Sequence, residues 1–302
     1  MTTPKRPVAE ANRISSMLNT VLGKDRFPVK IDELAVEYTR QCFPDAPIAE
    51  VKGEVLDKFE GMLAAHSSRT KWLIVHNSAV TSEGRKRFTV AHEFGHYMLH
   101  RHQKSRFACG TGDIAAGDNQ DIEFEADQFA STLLMPFDDF RRQVEGQKVD
   151  FDLMGHCANR YGVSLTAAAL RWIEIAEKRA ILIASRDDFM LWAKSNSAAF
   201  TSGAFFATRQ NTIELPGGAL AHSNNILLGG LSQSDHAKQW FPREPASMPI
   251  TEMIRLAGQY DYTLTLLLMP DAEWQRPDHG EVESGEDTFD RFVRNEQFPS
   301  RN

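Results

Sequence analysis

The pentapeptide His92-Glu93-Phe94-Gly95-His96 constrains this chain more than any other stretch. It follows the H-E-x-x-H pattern, and histidines four residues apart share a face when the segment is an α-helix. From that face both imidazoles reach one metal ion. Glu93, next to the first of them, is close enough to handle a proton on a metal-bound water. The pattern predicts a zinc-dependent hydrolase, with a peptidase as the first expectation. The flanks agree with a helix: no proline interrupts Arg85 to His100, and Phe88, Ala91, Gly95 and Met98 recur at helical spacing as a candidate buried stripe. His92 and His96 fall on a neighbouring stripe, at the edge of a core. A glycine inside a helix costs about 1 kcal/mol relative to alanine, so Gly95 calls for a packing reason, such as the close approach of another backbone.

A catalytic zinc site takes three protein ligands and leaves a fourth position open. The segment DIEFEADQFASTLLMP offers the third. Ile122, Ala126, Phe129, Ala130 and Leu133 mark the apolar face of a second helix that ends before Pro136. Glu123 and Asp127 are four apart on another face. Glu123 is the expected third ligand, with Asp127 behind it, accepting the spare N–H of a ligating histidine. Glu125 is the rival, although in an ideal helix it points about 200° around from Glu123.

RFTVAHEFGHYMLH followed by EFEADQFASTLLMP resembles the ImmA/IrrE family of metallopeptidases, with both strings in the family's order. The resemblance covers at least residues 55 to 180 and extends more weakly over the rest. It implies that His92, His96 and Glu123 bind the metal and that Glu93 is the catalytic carboxylate. Members are cytoplasmic proteins of bacteria or phage-like elements. Several cut a helix-turn-helix repressor of the Xre type and so release stress-response or mobile-element genes; others are paired with toxin–antitoxin operons. Zinc is the implied cofactor, with another divalent ion such as Mn2+ as the alternative. The implied partner is a protein substrate, a repressor or antitoxin. Its identity, the scissile bond and the oligomeric state do not carry over.

Composition fits an intracellular enzyme. The 302 residues are enough for two domains, and 42% hydrophobic with 25% charged residues is ordinary for a globular chain. The first residues, MTTPKRPVAEANRISSML, lack the apolar core of a signal peptide, and no stretch approaches 18 apolar residues, so a cytoplasmic protein without a membrane span is expected. Cys42, Cys109 and Cys157 are odd in number and form no C-x-x-C pair, which argues against a disulfide framework or a structural zinc knuckle. A net charge of −7 argues against broad attraction to DNA. The basic run Arg85-Lys86-Arg87 reads as a solvated helix start, with docking of an acidic partner as the other reading.

The pattern predicts an α+β chain. Helices are expected within residues 8 to 41, the second around Ile31 to Tyr38, with Pro44 and Pro47 ending that run. KFEGMLAAHSS and TKWLIVHNS read as a strand pair. In zincins an edge strand beside the metal pairs with the extended substrate, and one of these two strands is the candidate, with an interior place in the sheet as the alternative for either. RHQKSRFACGTGDIAAGDNQ reads as a long connection between the metal helices. His100 continues the series from His96 but lies too far along to join the same ion; it is expected behind the ligands or at the helix end. FDLMGHCANRYGVSLTAAALRWIEIAEK looks like a helix-turn-helix, yet Arg171, Lys178 and Arg179 are its only basic groups after the turn, so packing or protein contact is favoured over DNA reading. Beyond it, ILIAS, FMLWAK, AFFAT and YTLTLLLM read as strands and PITEMIRLAGQ as a helix. The expected domains are a zincin-like metallopeptidase domain over 1–140 and a helix-turn-helix-like segment over 141–180. After them come an α+β sensor-like domain over 181–275, GAF-like by the same resemblance, and an acidic tail over 276–302.

These residues outline a mechanism: the metal polarises the peptide carbonyl, and Glu93 takes a proton from water and passes it to the leaving amine. The donor to the oxyanion stays unassigned, with Tyr97 facing away and His66 and His76 as alternatives. The competing reading is a non-proteolytic regulator that binds a repressor or DNA through its helix-turn-helix-like and C-terminal parts.

Overall fold

The computed structural model describes residues 6–109, 118–222, 231–257 and 261–272. The acidic tail over 276–302 and most of the glycine-containing stretch after Cys109 lie outside them. Mixed helices and sheets make this an α+β chain. Contacts divide it into two units, residues 1–143 with 158–164, and residues 144–157 with 165–302. Among the described residues no helix is long and apolar enough to cross a membrane.

The first unit opens with α1 (Pro7–Leu22) and α2 (Ile31–Cys42). Proline in the first turn of α1 and Asp32 and Glu33 in the first turn of α2 suit helix starts, where free N–H groups favour negative charge and need no partner from proline. Ala11, Ile14 and Leu18 of α1 and Ile31, Leu34 and Ala35 of α2 are buried at helical spacing. A four-stranded sheet follows, built from β1 (Ile48–Glu54), β2 (Gly61–Ala65), β3 (Trp72–Asn77) and β4 (Arg106–Cys109) in the order β1-β3-β2-β4. β1 runs parallel to β3, and β2 is antiparallel to both β3 and β4. Leu63 faces Ile74 on one side and Phe107 on the other, and all three are buried.

This order corrects the edge-strand expectation. β2 and β3, the predicted pair, are both interior, and the edges are β1 and β4. β1 (IAEVKGE) carries charged residues and is largely exposed, and β4 is four residues long. Neither has an alternating apolar pattern long enough to announce a strand.

Helix α3 (Glu83–His100) crosses the sheet and α4 (Asp118–Leu134) packs on α3. α3 starts at Ser82, whose side chain accepts from Arg85 N. The basic run at that start is committed internally. Arg85 is paired with Glu60, Lys86 with Glu83, and Arg87 donates to Val29 O. That leaves little for an acidic partner. α5 (Phe137–Val144) follows Pro136, as the end of α4 required.

Helices α6 (Phe151–Tyr161) and α7 (Leu165–Ile175) are joined by residues 162–164, as the sequence suggested. Arg171 and Arg179 are buried and paired with Glu174 and Glu244, so neither is presented to a phosphate backbone. The second unit is built on an antiparallel sheet of β5 (Arg179–Arg186), β6 (Phe189–Ser195), β7 (Leu231–His236), β8 (Pro249–Leu256) and β9 (Thr263–Met269), in the order β6-β5-β9-β8-β7. Ile181, Ile183, Trp240, Phe241 and Leu267 share its core.

Two sequence expectations fail here. Pro249–Leu256 of PITEMIRLAGQ form strand β8 rather than a helix, and the end of that string lies outside the described residues. Ile250, Met253 and Ile254 fit helical spacing as well as a buried strand, and pairing with β7 and β9 decides. AFFAT (Ala204–Thr208) is not a strand; it lies in the irregular segment that follows helix α8 (Ser197–Thr201). Asn196 caps that helix by accepting from Ala199 N at 2.9 Å.

Candidate metal centre

The i, i+4 spacing that sequence reasoning relied on sets His92 and His96 side by side on α3, with ring centroids 4.6 Å apart. α4 brings Glu123 opposite them. Glu123 Oε2 lies 3.1 Å from His92 Nε2, and Glu123 Oε1 lies 3.4 Å from His96 Nε2. One ligand atom from each of the three side chains falls within 4.8 Å of the others. Glu125, the rival, is turned away from this group and pairs with His100 Nε2 at 2.8 Å.

What permits this approach is Gly95. A Cβ there would stand 3.2 Å from both Cα and O of Ala126 and 3.1 Å from Phe129 Cδ1. The missing side chain lets the backbones of α3 and α4 close together at the residue next to His96. Phe94 and Phe129 seal the contact edge-on, 5.5 Å between centroids and both fully buried. Burying such a side chain contributes about 1.5–3 kcal/mol.

The group is oriented from behind. Asp127 Oδ1 lies 2.7 Å from His92 Nδ1. His100 Nδ1 lies 3.1 Å from His96 Nδ1. Phe107 of β4 stacks on the His96 ring, 4.6 Å between centroids and 14° from parallel. Sequence reasoning missed Phe107, because the segment between the metal helices carries no periodic signal.

Burial pushes the His96 pKa down to about 4, against the opposing pull of Glu123. Burial likewise lowers that of His100. For Glu123, burial works upward, but hydrogen bonds from His92 and His96 outweigh it and hold the carboxyl below the ordinary carboxylate range. A neutral His96 beside an ionised carboxylate is the protonation pattern a divalent metal requires of its ligands. Two donors on a tetrahedral zinc with bonds of about 2.0–2.1 Å lie about 3.3 Å apart, which the Glu123 contacts match. Two histidine nitrogens and a carboxylate brought this close together suit a divalent metal ion.

Glu93 is fully buried. Its side chain runs toward β2, where a Cβ on Gly61 would come within 2.9 Å of Glu93 Oε1. It stands beside the ligand set without belonging to it. Of the groups considered for the oxyanion, Tyr97 is committed elsewhere, donating to Ala46 O at 2.8 Å. His66 is exposed and bonded to Ser68, and the His76 ring lies over Gly53.

No curated protein matches this chain. Among solved structures, a Mycobacterium tuberculosis transcriptional regulator is similar in fold. It has a TM-score of 0.52 and 14% sequence identity, over 88% of this chain and 76% of that one. Residues 55–172 match the family described as the IrrE N-terminal-like domain, Peptidase_M78. That stretch contains α3 and α4 with His92, Glu93, His96 and Glu123, and it is an IrrE N-terminal-like domain, which supports the resemblance to the ImmA/IrrE family.

Proposed function

We propose that this chain is a metal-dependent endopeptidase that cuts a helix-turn-helix transcriptional repressor of the Xre type, or an antitoxin, and thereby releases stress-response or mobile-element genes. The observation that carries the enzymatic part is the convergence of His92, His96 and Glu123 at the spacing of donors around one tetrahedral ion. The substrate class follows from the family to which residues 55–172 belong.

His92 and His96, through Nε2, and Glu123 would hold the metal, zinc or another divalent ion. Such an ion supplies Lewis acidity toward a peptide carbonyl and makes a water molecule acidic enough to deprotonate near neutral pH. Glu93 is the general base and then the general acid, taking the proton from water and delivering it to the leaving amine. Its burial against Gly61 limits its rotamers and keeps the carboxylate beside the ligands. Asp127 fixes the ring of His92. Edge strand β4, whose Phe107 touches His96, is the strand of the sheet best placed to pair with an extended substrate. The division of labour is a metallopeptidase domain over 1–140, a helix-turn-helix-like segment over 141–180 that packs or grips protein, and a sensor-like domain over 181–275.

A comparison of new protein N-termini in host cells expressing wild type or Glu93→Gln, with and without DNA-damaging or oxidative stress, tests this. The expected result is a repressor or antitoxin fragment that appears with wild type alone. The second reading is a regulator that binds its partner without cutting it, favoured by the likeness in fold to a transcriptional regulator. Equal effects of both proteins on transcription, with no Glu93-dependent fragment, would establish it instead.

A further inference from the structure

His92 and His96 are oriented in different ways. Behind His92 stands a carboxylate, Asp127, 2.7 Å from Nδ1. Behind His96 stands a third imidazole: His100 Nδ1 is 3.1 Å from His96 Nδ1, and His100 Nε2 is 2.8 Å from Glu125 Oε2. His96 and His100 are 0% and 1% exposed, so water does not stand in for these partners.

The protons can be counted along this chain. An imidazole that offers the Nε2 electron pair to a metal carries its proton on Nδ1. His96 Nδ1–H then donates to His100 Nδ1, which must be bare. His100 therefore carries its proton on Nε2 and donates it to Glu125, an acceptor when ionised. Each of the two contacts has one donor and one acceptor. The reverse order fails: a proton on His100 Nδ1 of a neutral ring leaves bare Nε2 facing a carboxylate. It also puts the His96 proton on Nε2, where Glu123 and the metal belong.

We propose that His100 and Glu125 form a relay that sets the tautomer of His96, with His100 as the positioning residue and Glu125 fixing His100 in turn. The proposal rests on the reading of His96 as a metal ligand and deepens it. It also gives Glu125 a place outside the ligand set.

The test uses the full chain with four substitutions. His100→Leu removes the acceptor. His100→Asn restores one, because Asn Oδ1 takes the place of His Nδ1. Glu125→Ala and Glu125→Gln remove and restore the outer acceptor on a partly exposed side chain, which leaves folding least disturbed. Two quantities are read: zinc affinity by chelator competition, and the hydrogen bond made by His96 Nδ1–H, by 15N NMR of the zinc-loaded protein. The expected result is a hydrogen-bonded Nδ1–H on His96 in wild type, loss of that hydrogen bond in His100→Leu, and zinc affinity down about 10–100-fold. His100→Asn should recover most of the affinity. Glu125→Ala should lose several-fold, and Glu125→Gln less.

An unchanged His96 Nδ1–H hydrogen bond and affinity in folded His100→Leu overturns the relay. If that variant does not fold, an unchanged hydrogen bond and affinity in Glu125→Ala does the same. The metal reading fails separately, if wild type binds no zinc in the chelator competition.

Discussion

Gly61 on β2 and Glu93 on α3 meet so closely that a methyl group on the glycine would stand 2.9 Å from Glu93 Oε1 and collide with Thr89 Cγ2. Thr89 is β-branched, so it has few rotamers to yield into. Gly61→Ala should therefore displace the Glu93 carboxylate and leave α4 and the three ligand atoms in place. We expect the rate of peptide cleavage to fall by about 10²-fold, the usual cost of about 1 Å of misplacement at a reacting group. Zinc affinity should stay within a few-fold of wild type. Parallel loss of both would mean that Gly61 supports the whole centre and not Glu93 in particular.

Removing the carboxylate itself separates the proton-handling role from the binding role. Glu93→Gln keeps the shape and should retain one zinc per chain while cleavage drops by about 10²–10⁴-fold, the range of general acid–base catalysis. His96→Ala should lose zinc and cleavage together, by more than the roughly 10–100-fold that loss of an outer partner costs. Metal analysis after gel filtration and a fragment assay on the same samples read both. Cleavage by Glu93→Gln at the wild-type rate would remove Glu93 from the mechanism.

The grouping of His92 with His96, and of Glu123 with Asp127, is a local property of helical spacing, so it is readable in the sequence without a fold. That Glu123 comes to the two histidines while Glu125 faces elsewhere was readable for the same reason, since about 200° of helix separates them. The contact between the helices was signalled only by Gly95, a residue out of place in a helix interior unless another backbone comes close. What stayed hidden depends on distant partners. β4 is four residues in a stretch without period, so Phe107 gave no sign of stacking on His96. β1 is largely exposed and polar, and without β1 and β4 the interior strands β2 and β3 look like candidates for an edge. β8 fits two periods, and only its pairing with β7 and β9 decides between them.

The same glycine gives a test of how tightly the ligand geometry is held. Gly95→Ala gains about 1 kcal/mol of helix propensity. Its Cβ, however, falls 3.2 Å from Ala126 Cα and O, so α4 must retreat by a few tenths of an ångström. Glu123 lies three residues from Ala126 on that helix. Overall stability should change by less than about 1 kcal/mol, because the two effects oppose one another. Zinc affinity should fall by about tenfold as the carboxylate moves off the histidines. Unchanged affinity, measured by chelator competition, would show that α4 absorbs the methyl group without moving Glu123.

Asp139 tests the scaffold rather than the centre. It is 3% exposed at the start of α5 and accepts from Tyr161 Oη at 2.7 Å, Arg160 Nε at 2.9 Å and Arg142 Nη2 at 2.7 Å. Burial works to raise its pKa, but these hydrogen bonds outweigh it and hold the carboxyl below its ordinary value. With a depressed pKa in the folded state, the ionised group stabilises the fold fully above the unfolded value of about 4. That contribution is lost as pH falls through the folded value. Asp139→Asn keeps the volume but removes the charge and leaves Arg160 without its carboxylate. We expect a loss of about 2–3 kcal/mol at pH 7 in the metal-free protein. The gap to wild type should narrow below about pH 4, where the wild-type contribution itself begins to fade. Urea unfolding of both proteins at a series of pH values measures it. A gap that stayed constant down to pH 3 would assign the loss to hydrogen-bond geometry and not to charge.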